Sequence, residues 1–248
     1  YNAKVRLADV YKGIIPRTNS NTKMYWQNAF HPVLLIKNIA LGDDTIAQDF
    51  ELSQKQRFLV ISGPNAGGKS ITLKTVGLIQ LMFQSGLLVP VNEISEFCWF
   101  DTILSDIGDN QSIENQLSTY SYRLSRMNFF LKKANNSSLI LLDEFGSGSD
   151  PDLGGALAEV FYEELYERNC FAVINTHYTN IKIITSKKDE ALNAFMLFDT
   201  KELKPLYKLS IGQPGSSYTF EVARLNAIGS DLIARAQDKV SDLKVNLD

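Results

Sequence analysis

The chain has few of the residues that build disulfide scaffolds or metal sites, since only 2 of its 248 residues are cysteines and only 2 are histidines. Cys98 and Cys170 lie far apart, with no C-x-x-C pair and no histidine at metal-ligand spacing. This usage indicates free, buried thiols in a reducing compartment rather than a disulfide or a zinc site. We therefore expect a cytoplasmic protein.

Long apolar runs and a large excess of charge are also missing. No stretch approaches the ~20 consecutive apolar residues of a membrane span, and no basic-then-apolar leader opens the chain, so we expect no membrane partner. The net charge of −3 argues against a large basic nucleic-acid surface on this chain. The first residue is Tyr1 rather than Met, which favours a fragment or a processed product.

What the sequence does contain is a complete G-x-x-x-x-G-K-[ST] phosphate-binding loop, which reads Gly63-Pro64-Asn65-Ala66-Gly67-Gly68-Lys69-Ser70. Its glycines let the backbone turn tightly and bring N–H groups to phosphate oxygens. Lys69 supplies positive charge to the β- and γ-phosphates, and the Ser70 hydroxyl is a ligand for Mg²⁺. An apolar run over 57–62 predicts the strand before the loop, and apolar residues from Ile71 onward have near-helical spacing. The phosphates would therefore meet a helix N-terminus.

Strand and helix patterns alternate along the rest of the chain. Strands are predicted over 33–36, 46–52, 97–107, 138–144, 171–176, 192–199 and 203–211, and helices over 118–133, 153–165, 218–225 and 229–243. Residues 1–28 are polar and are predicted to be a connecting segment. The alternation predicts an α/β fold with a mainly parallel central sheet flanked by helices.

Two carboxylates indicate which reaction of the bound nucleotide is favoured. Asp143 and Glu144 end the apolar strand pattern, at the sheet edge where ligands bind in open α/β folds. Asp143 there can hold the Mg²⁺ shell, and Glu144 can orient and deprotonate a water in line with the γ-phosphate. Small-molecule kinases usually need no such second acid, so the pair favours hydrolysis over phosphoryl transfer to a metabolite.

Two further residues are candidates for the γ-phosphate. His177 follows an apolar strand and would emerge at the same edge, where a neutral imidazole can hydrogen-bond the phosphate or the attacking water. Ser118 precedes an amphipathic helix; it is either an ordinary N-cap or part of a phosphate site at that helix N-terminus. The sequence alone leaves both interpretations of Ser118 open.

Taken together, these motifs resemble the MutS family of DNA-repair ATPases. The resemblance covers about 29–240, and its motifs are Phe30-His31-Pro32, the phosphate loop, Leu117-Ser118-Thr119-Tyr120, Asp143-Glu144-Phe145-Gly146, Asn175-Thr176-His177-Tyr178, and Ser217-Tyr218 with Ala223-Arg224. The segments 72–78 and 146–151 look like the second MutS subfamily rather than the mismatch-reading enzymes. That subfamily is associated with restraining recombination and, in some members, with ribosome rescue.

The resemblance implies a P-loop ATPase domain of the ABC type over 29–225 and a C-terminal helical dimerisation element over 226–248. The closing helices, 218–225 and 229–243, resemble the family's helix–turn–helix, which clasps a partner subunit. It implies a homodimer with composite ATP sites, in which Ser118 reaches the partner's γ-phosphate and Asp150 lies near the interface. Ile46 matches the position that packs against adenine, although Thr45 stands where mismatch-repair members often carry an aromatic residue. The resulting nucleotide-binding set is Ile46, Gly63, Pro64, Asn65, Ala66, Gly67, Gly68, Lys69, Ser70 and Ile71.

The resemblance also implies that nucleic acid, either DNA or a ribosome, is held by regions that this chain does not contain. Two alternatives remain. The nucleotide-binding subunit of a membrane transporter shares the loop, the Asp-Glu strand and the histidine, but it carries an L-S-G-G-Q-type element where this chain has residues 117–120. A nucleotide-gated dimerisation module with negligible turnover shares every residue named.

Overall fold

The computed structural model describes residues 2–21, 23–64, 67–108, 116–145, 151–212 and 219–245. Its helices are α1 (Asn2–Tyr11), α2 (Pro32–Leu41), α3 (Lys69–Gln84), α4 (Gln116–Lys133), α5 (Pro151–Glu167), α6 (Thr179–Thr185), α7 (Thr219–Leu225) and α8 (Ser230–Val245). Its strands are β1 (Arg17–Thr18), β2 (Met24–Ala29), β3 (Gln48–Leu52), β4 (Phe58–Ser62), β5 (Glu96–Phe97), β6 (Thr102–Asp106), β7 (Ser138–Leu142), β8 (Phe171–Asn175), β9 (Ala191–Asp199) and β10 (Lys204–Ile211).

The central sheet has six strands in the order β10-β9-β4-β8-β7-β6. All neighbours are parallel except the β9–β10 pair at one edge. Strands β4, β7 and β8 are buried along their whole length, as expected for parallel strands covered on both faces. The prediction of an α/β fold with a mainly parallel sheet is confirmed.

Alternate residues of the central strands enter two different cores. On one face, Leu59 and Ile61 of β4 pack with α3 and with a second, four-stranded sheet in the order β1-β5-β2-β3. On the other face, Phe58 and Val60 pack with residues of α4, α5 and α6. This alternation is the two-residue period of a strand. The second sheet is not anticipated by the sequence patterns.

The strand predicted over 33–36 is wrong, because these residues lie in α2. Pro32 occupies the first turn, and the Nδ1 atom of His31 accepts a hydrogen bond from the Leu34 N–H at 3.2 Å, which caps the helix. Gly42 ends it in the left-handed conformation (φ 75°). The apolar run is therefore compatible with either element, and the capping residues at its two ends decide for a helix.

Residues 1–28 also differ from the predicted connecting segment, since they form α1, β1 and most of β2. Met24 and Trp26 are almost completely buried in the core between the sheets, at 0% and 1% exposure. The segment thus contributes two strands to the four-stranded sheet and side chains to the core, and it is not a separate connection. The exact boundary of the ATPase domain stays a prediction.

The C-terminal residues form the two expected helices, α7 and α8, on either side of Gly229. Ile233 of α8 is buried, at 4% exposure. Whether this pair serves as the helix–turn–helix of the resemblance stays a prediction. Within the described part of the chain, no helix is both long and apolar enough to cross a membrane.

Candidate active site

The carboxyl ends of three neighbouring strands carry most of the predicted site. Strand β4 leads into Gly63, β7 into Asp143 and β8 into Thr176 and His177. In the sheet, β8 lies between β4 and β7, and all three run in the same direction. Residues that are far apart in sequence therefore meet at one sheet edge, where open α/β folds bind their ligands.

The Lys69 side chain is buried at the phosphate loop. Lys69 is the first residue of α3, is only 3% exposed, and donates a hydrogen bond from Nζ to the Gly63 carbonyl at 2.7 Å. Gly63 has a positive φ of 129°, and a Cβ there would lie 3.3 Å from Met196 Cβ. Glycine is required at this position both for its conformation and for the close approach of β9. Asn65 and Ala66 lie outside the described residues.

The protonation of Lys69 depends on its surroundings. Burial lowers the pKa of the ammonium group to about 8, while Asp143 and Glu144 partly oppose that shift. The carboxylates at the end of β7 therefore lie close enough to interact electrostatically with the loop lysine.

Asp143 and Glu144 are held by contacts from two sides. Asn175 at the end of β8 donates from Nδ2 to Asp143 Oδ1 at 2.9 Å. Glu144 has a positive φ of 49°, unusual for a residue with a side chain, and its carbonyl accepts a hydrogen bond from Arg123 Nη1 of α4 at 3.3 Å. Such backbone conformations persist where the surrounding structure fixes them, and they cluster at functional sites.

His177 is exposed and lies close enough to Lys69 and Asp143 to interact with them electrostatically. Desolvation of the ring lowers its pKa, and the positive charges of Lys69 and Lys182 lower it further, whereas Asp143 acts in the opposite direction. The imidazole is therefore neutral at neutral pH. A neutral ring can donate one hydrogen bond and accept another, which suits contact with a phosphate or a water.

A cavity of about 500 Å³ lies beside the phosphate loop, a volume typical of small-ligand sites. It brings together four predicted residues, Ile46, Gly68, Ser70 and Ile71. Its other lining residues are His31, Leu34, Asn38, Asp44, Thr45, Gln48, Thr72, Thr75 and Tyr207. The cavity therefore joins the loop to α2, β3 and β10.

Comparison with known proteins identifies the architecture. The family model of MutS domain V matches residues 59–244, which is three quarters of the chain. The chain belongs to the MutS family. The resemblance seen in the motifs is thereby confirmed, and MutS domain V is a P-loop ATPase domain.

The most informative relatives are proteins named endonuclease MutS2. The one from Lacticaseibacillus casei is 38% identical over 240 residues, which is 97% of this chain and 30% of that protein. The one from Bacillus cytotoxicus is 41% identical over 239 residues, or 96% of this chain and 30% of that protein. The chain is thus a MutS2-type ATPase domain that spans about 30% of the length of these relatives.

Two residues that the MutS resemblance assigns to the dimer cannot be placed in the same detail. Ser118 lies in the first turn of α4, which begins at Gln116, so it does not precede the helix as an N-cap would; its side chain is outside the described part of the structure. Asp150 lies outside the described residues altogether. Their roles across an interface stay predictions.

The donor set at the strand ends fits the Mg²⁺ that the MutS family implies. Asn175 Oδ1 is buried and has no hydrogen-bond partner among the described residues, so a water of a hydrated cation would satisfy it. No group of three or more His, Cys, Asp or Glu that could hold a metal occurs in the described part of the chain. Mg²⁺ needs only one or two protein oxygens when waters and phosphates complete its shell, and Ser70 and Asp143 offer those.

The sequence patterns miss several residues that the structure places at the site. His31 belongs to a recognised motif but carries no predicted role, and nothing in the strand pattern singles out Tyr207 or Gln48. Asp106, at the end of β6, lies beside Asp143; burial raises the pKa of its carboxyl group, while Arg123 and Arg126 lower it. Its position at a strand end is the one signal that the sequence offers.

Proposed function

We propose that this domain binds ATP together with Mg²⁺ and hydrolyses it to ADP and phosphate, as a P-loop ATPase of the ABC type. The observation that carries the proposal is the convergence of Lys69, Asp143 and His177 at the ends of adjacent parallel strands, beside a cavity of about 500 Å³. The electrostatic coupling of Lys69 to both carboxylates supports a single site rather than scattered polar residues.

The first step is capture of the triphosphate. Backbone amides of residues 65–70 and the Lys69 ammonium hold the phosphates, so the ammonium exchanges the Gly63 carbonyl for phosphate oxygens. Their negative charge raises the pKa of Lys69 again and keeps it protonated. Ser70 and Asp143 would hold Mg²⁺, which would supply positive charge to offset that of the phosphates.

The chemical step is an in-line attack by water on the γ-phosphorus. The Glu144 carboxylate takes a proton from the water as its oxygen bonds to phosphorus. The bond from the γ-phosphorus to the bridging oxygen breaks, and the electron pair leaves with ADP. Neutral His177 donates a hydrogen bond to a γ-phosphate oxygen and so distinguishes ATP from ADP.

We further propose that the domain works as a homodimer with composite sites. Ser118 at the start of α4 would complete the partner's site, Asp150 would lie near the interface, and the element over 226–248 would clasp the partner subunit. Closure of the dimer would then change how attached regions hold nucleic acid.

The function of the whole protein is a further proposal, which the MutS2 relatives support. We propose a role in DNA repair or recombination control, with DNA or a ribosome held by regions outside this chain. The two described cysteines, Cys98 and Cys170, are unpaired and buried, which supports the expected cytoplasmic location.

Replacing the general base tests the hydrolytic mechanism most directly. In Glu144→Gln we expect kcat for ATP to fall at least about 100-fold, the range for loss of a positioned base, with the Kd for ATP nearly unchanged. Steady-state phosphate release and calorimetric titration measure the two quantities. Glu163→Gln, an exposed glutamate on α5, is the control. Near-normal turnover in Glu144→Gln would remove this residue from its role.

The composite site makes a separate prediction about concentration. If Ser118 acts on the partner's nucleotide, turnover per chain rises as the chain concentration crosses the dimerisation threshold, because isolated chains hold incomplete sites. Phosphate release measured across that threshold, alongside sedimentation, gives the answer. Turnover per chain that stays flat while dimers form would contradict the composite site and leave ATP binding by one chain intact.

A further inference from the structure

Strand β10 contains an irregularity next to the nucleotide cavity. Its pairing with β9 shifts register between Pro205 and Leu209. Within this bulge, Tyr207 has a φ of 52°, a left-handed conformation that is unfavourable for residues with a side chain by about 1–2 kcal/mol. A residue in this conformation needs contacts from outside its own strand to hold it.

Those contacts come from Gln48, which belongs to β3 of the other sheet. Its Nε2 donates a hydrogen bond to the Tyr207 carbonyl, and its Oε1 accepts one from the Leu209 N–H at 2.8 Å. One side-chain amide therefore satisfies both an acceptor and a donor of the bulged backbone. Gln48 is only 8% exposed, so water cannot readily replace either bond.

The bulge determines where the Tyr207 ring lies. A Cβ at Gly68 of the phosphate loop would be 3.3 Å from Tyr207 Cδ1, so the ring lies directly against the loop. Tyr207 also lines the cavity that contains Ile46 and Ile71, and it is 47% exposed. An aromatic face that is left open beside a phosphate loop offers a planar base a surface for stacking.

We propose that Gln48 is a positioning residue for nucleotide binding, acting through the Tyr207 bulge. The inference rests on the proposed ATP site. Gln48 fixes the backbone at Tyr207, and the ring in turn forms a wall against which the nucleoside part of ATP packs. Gln48 therefore contributes to nucleotide affinity and contributes nothing to the chemical step at the γ-phosphate.

Gln48 also lines the cavity itself, so a direct contact with the nucleotide is the competing explanation. The two are separated by measuring the Kd for Mg²⁺-ATP of the chain and of Gln48→Ala, Tyr207→Ala and the double variant. We expect each single change to weaken binding about 5- to 10-fold, the effect of losing one aromatic packing surface. The double variant should match Tyr207→Ala alone, because residues that act through one another are not additive.

A second probe separates positioning from general loss of structure. Inorganic tripolyphosphate has the phosphates but neither base nor ribose, so its Kd should be the same in Gln48→Ala as in the unmodified chain. Gln80→Ala is the matched control, since Gln80 is also buried and donates to a backbone carbonyl, that of Cys98, at 2.9 Å. It should leave both Kd values unchanged.

Each outcome gives a decision. An unmodified chain that fails to bind ATP overturns the proposed function. If that chain binds ATP, the inference is overturned by an unchanged Kd in Gln48→Ala, by additive effects in the double variant, or by equal weakening of tripolyphosphate. If Gln48→Ala does not fold, Gln48→Met replaces it, because methionine keeps the size without adding charge and can make neither hydrogen bond to the bulge; the same outcomes then apply.

Discussion

The two ends of the proposed nucleotide site are built in different ways. At the phosphate end, Asp143 and His177 follow the buried strands β7 and β8 within two residues, and Lys69 begins α3 after the loop that follows β4, so the parallel sheet places all three. At the nucleoside end, the cavity is assembled from α2, β3 and a bulge in β10, which belong to different layers. The first arrangement corresponds to a sequence pattern, an apolar run that ends in polar residues. The second depends on contacts between elements that are far apart in sequence.

The strongest test of this comparison removes the charge at the phosphate end. In Lys69→Ala we expect the Kd for ATP to rise about 100-fold or more, because truncating a buried charge partner costs about 2–5 kcal/mol. Calorimetric titration with Mg²⁺-ATP measures it. Lys74→Ala, an exposed lysine one turn later on α3, is the control and should change the Kd little. Similar losses in both variants would mean that net charge, rather than the loop, sets the affinity.

A smaller effect is expected from a second variant, which tests whether the phosphate end also depends on a contact between α4 and the residues that follow β7. Arg123 of α4 donates to the carbonyl of Glu144, whose φ is 49°. We expect Arg123→Ala to lower kcat about 10-fold, since a hydrogen bond with one charged partner, here the Arg123 guanidinium, contributes about 1.5–3 kcal/mol. The Kd for ATP should be unchanged.

The matched control for that variant lies on the same helix. Arg126 donates from Nη2 to the Ser105 carbonyl at 2.8 Å and makes no hydrogen bond to Glu144 among those described. Arg126→Ala should therefore keep kcat near normal. If both variants lose kcat equally, Arg123 acts through the stability of α4 and not through the placement of Glu144.

The smallest expected effect concerns the nucleoside end and depends on pH. The neutral Nδ1 atom of His31 accepts the capping hydrogen bond of α2, and burial, followed by the charge of Lys74, lowers the pKa of the ring in the folded protein. The unfolded chain, with the ordinary pKa of about 6.5, therefore binds the proton more readily. The cap's contribution to the free energy of unfolding is complete above the pKa of the unfolded chain. It is lost as the pH falls through the lower pKa of the folded state.

Urea unfolding of the chain and of His31→Asn at about pH 7.5 and about pH 5 measures this loss. Asn caps a helix about as well as other good capping residues and does not titrate, so the variant should keep about 1 kcal/mol more of its stability at the lower pH. Equal losses in both proteins would show that His31 does not cap α2 in solution.

Some features of the fold follow from local sequence. The strand–loop–helix unit at 57–84 and the buried strands β7 and β8 are visible as apolar runs that end in polar residues, because parallel strands buried on both faces leave little room for polar side chains. Their membership in one sheet explains why predicted residues from three segments meet.

Other features require the tertiary structure. The apolar run at 33–36 fits a strand until the capping by His31 and Gly42 is considered, and residues 1–28 look polar although Trp26 lies in a core. Asp106 and Arg123 acquire their relation to the carboxylates only when β6 and α4 pack beside β7. Such contacts leave no periodic trace in the sequence.

The sequence by itself determined the phosphate-binding loop, the carboxylate pair and membership in the MutS family, since these depend on residue type and short spacing. Only the tertiary structure decided how the nucleoside cavity is formed, because the Gln48 side chain joins backbone atoms about 160 positions along the chain and its contacts depend on how the two sheets pack. Local chemistry is encoded residue by residue, whereas the shape of a cavity between layers is a property of the whole fold.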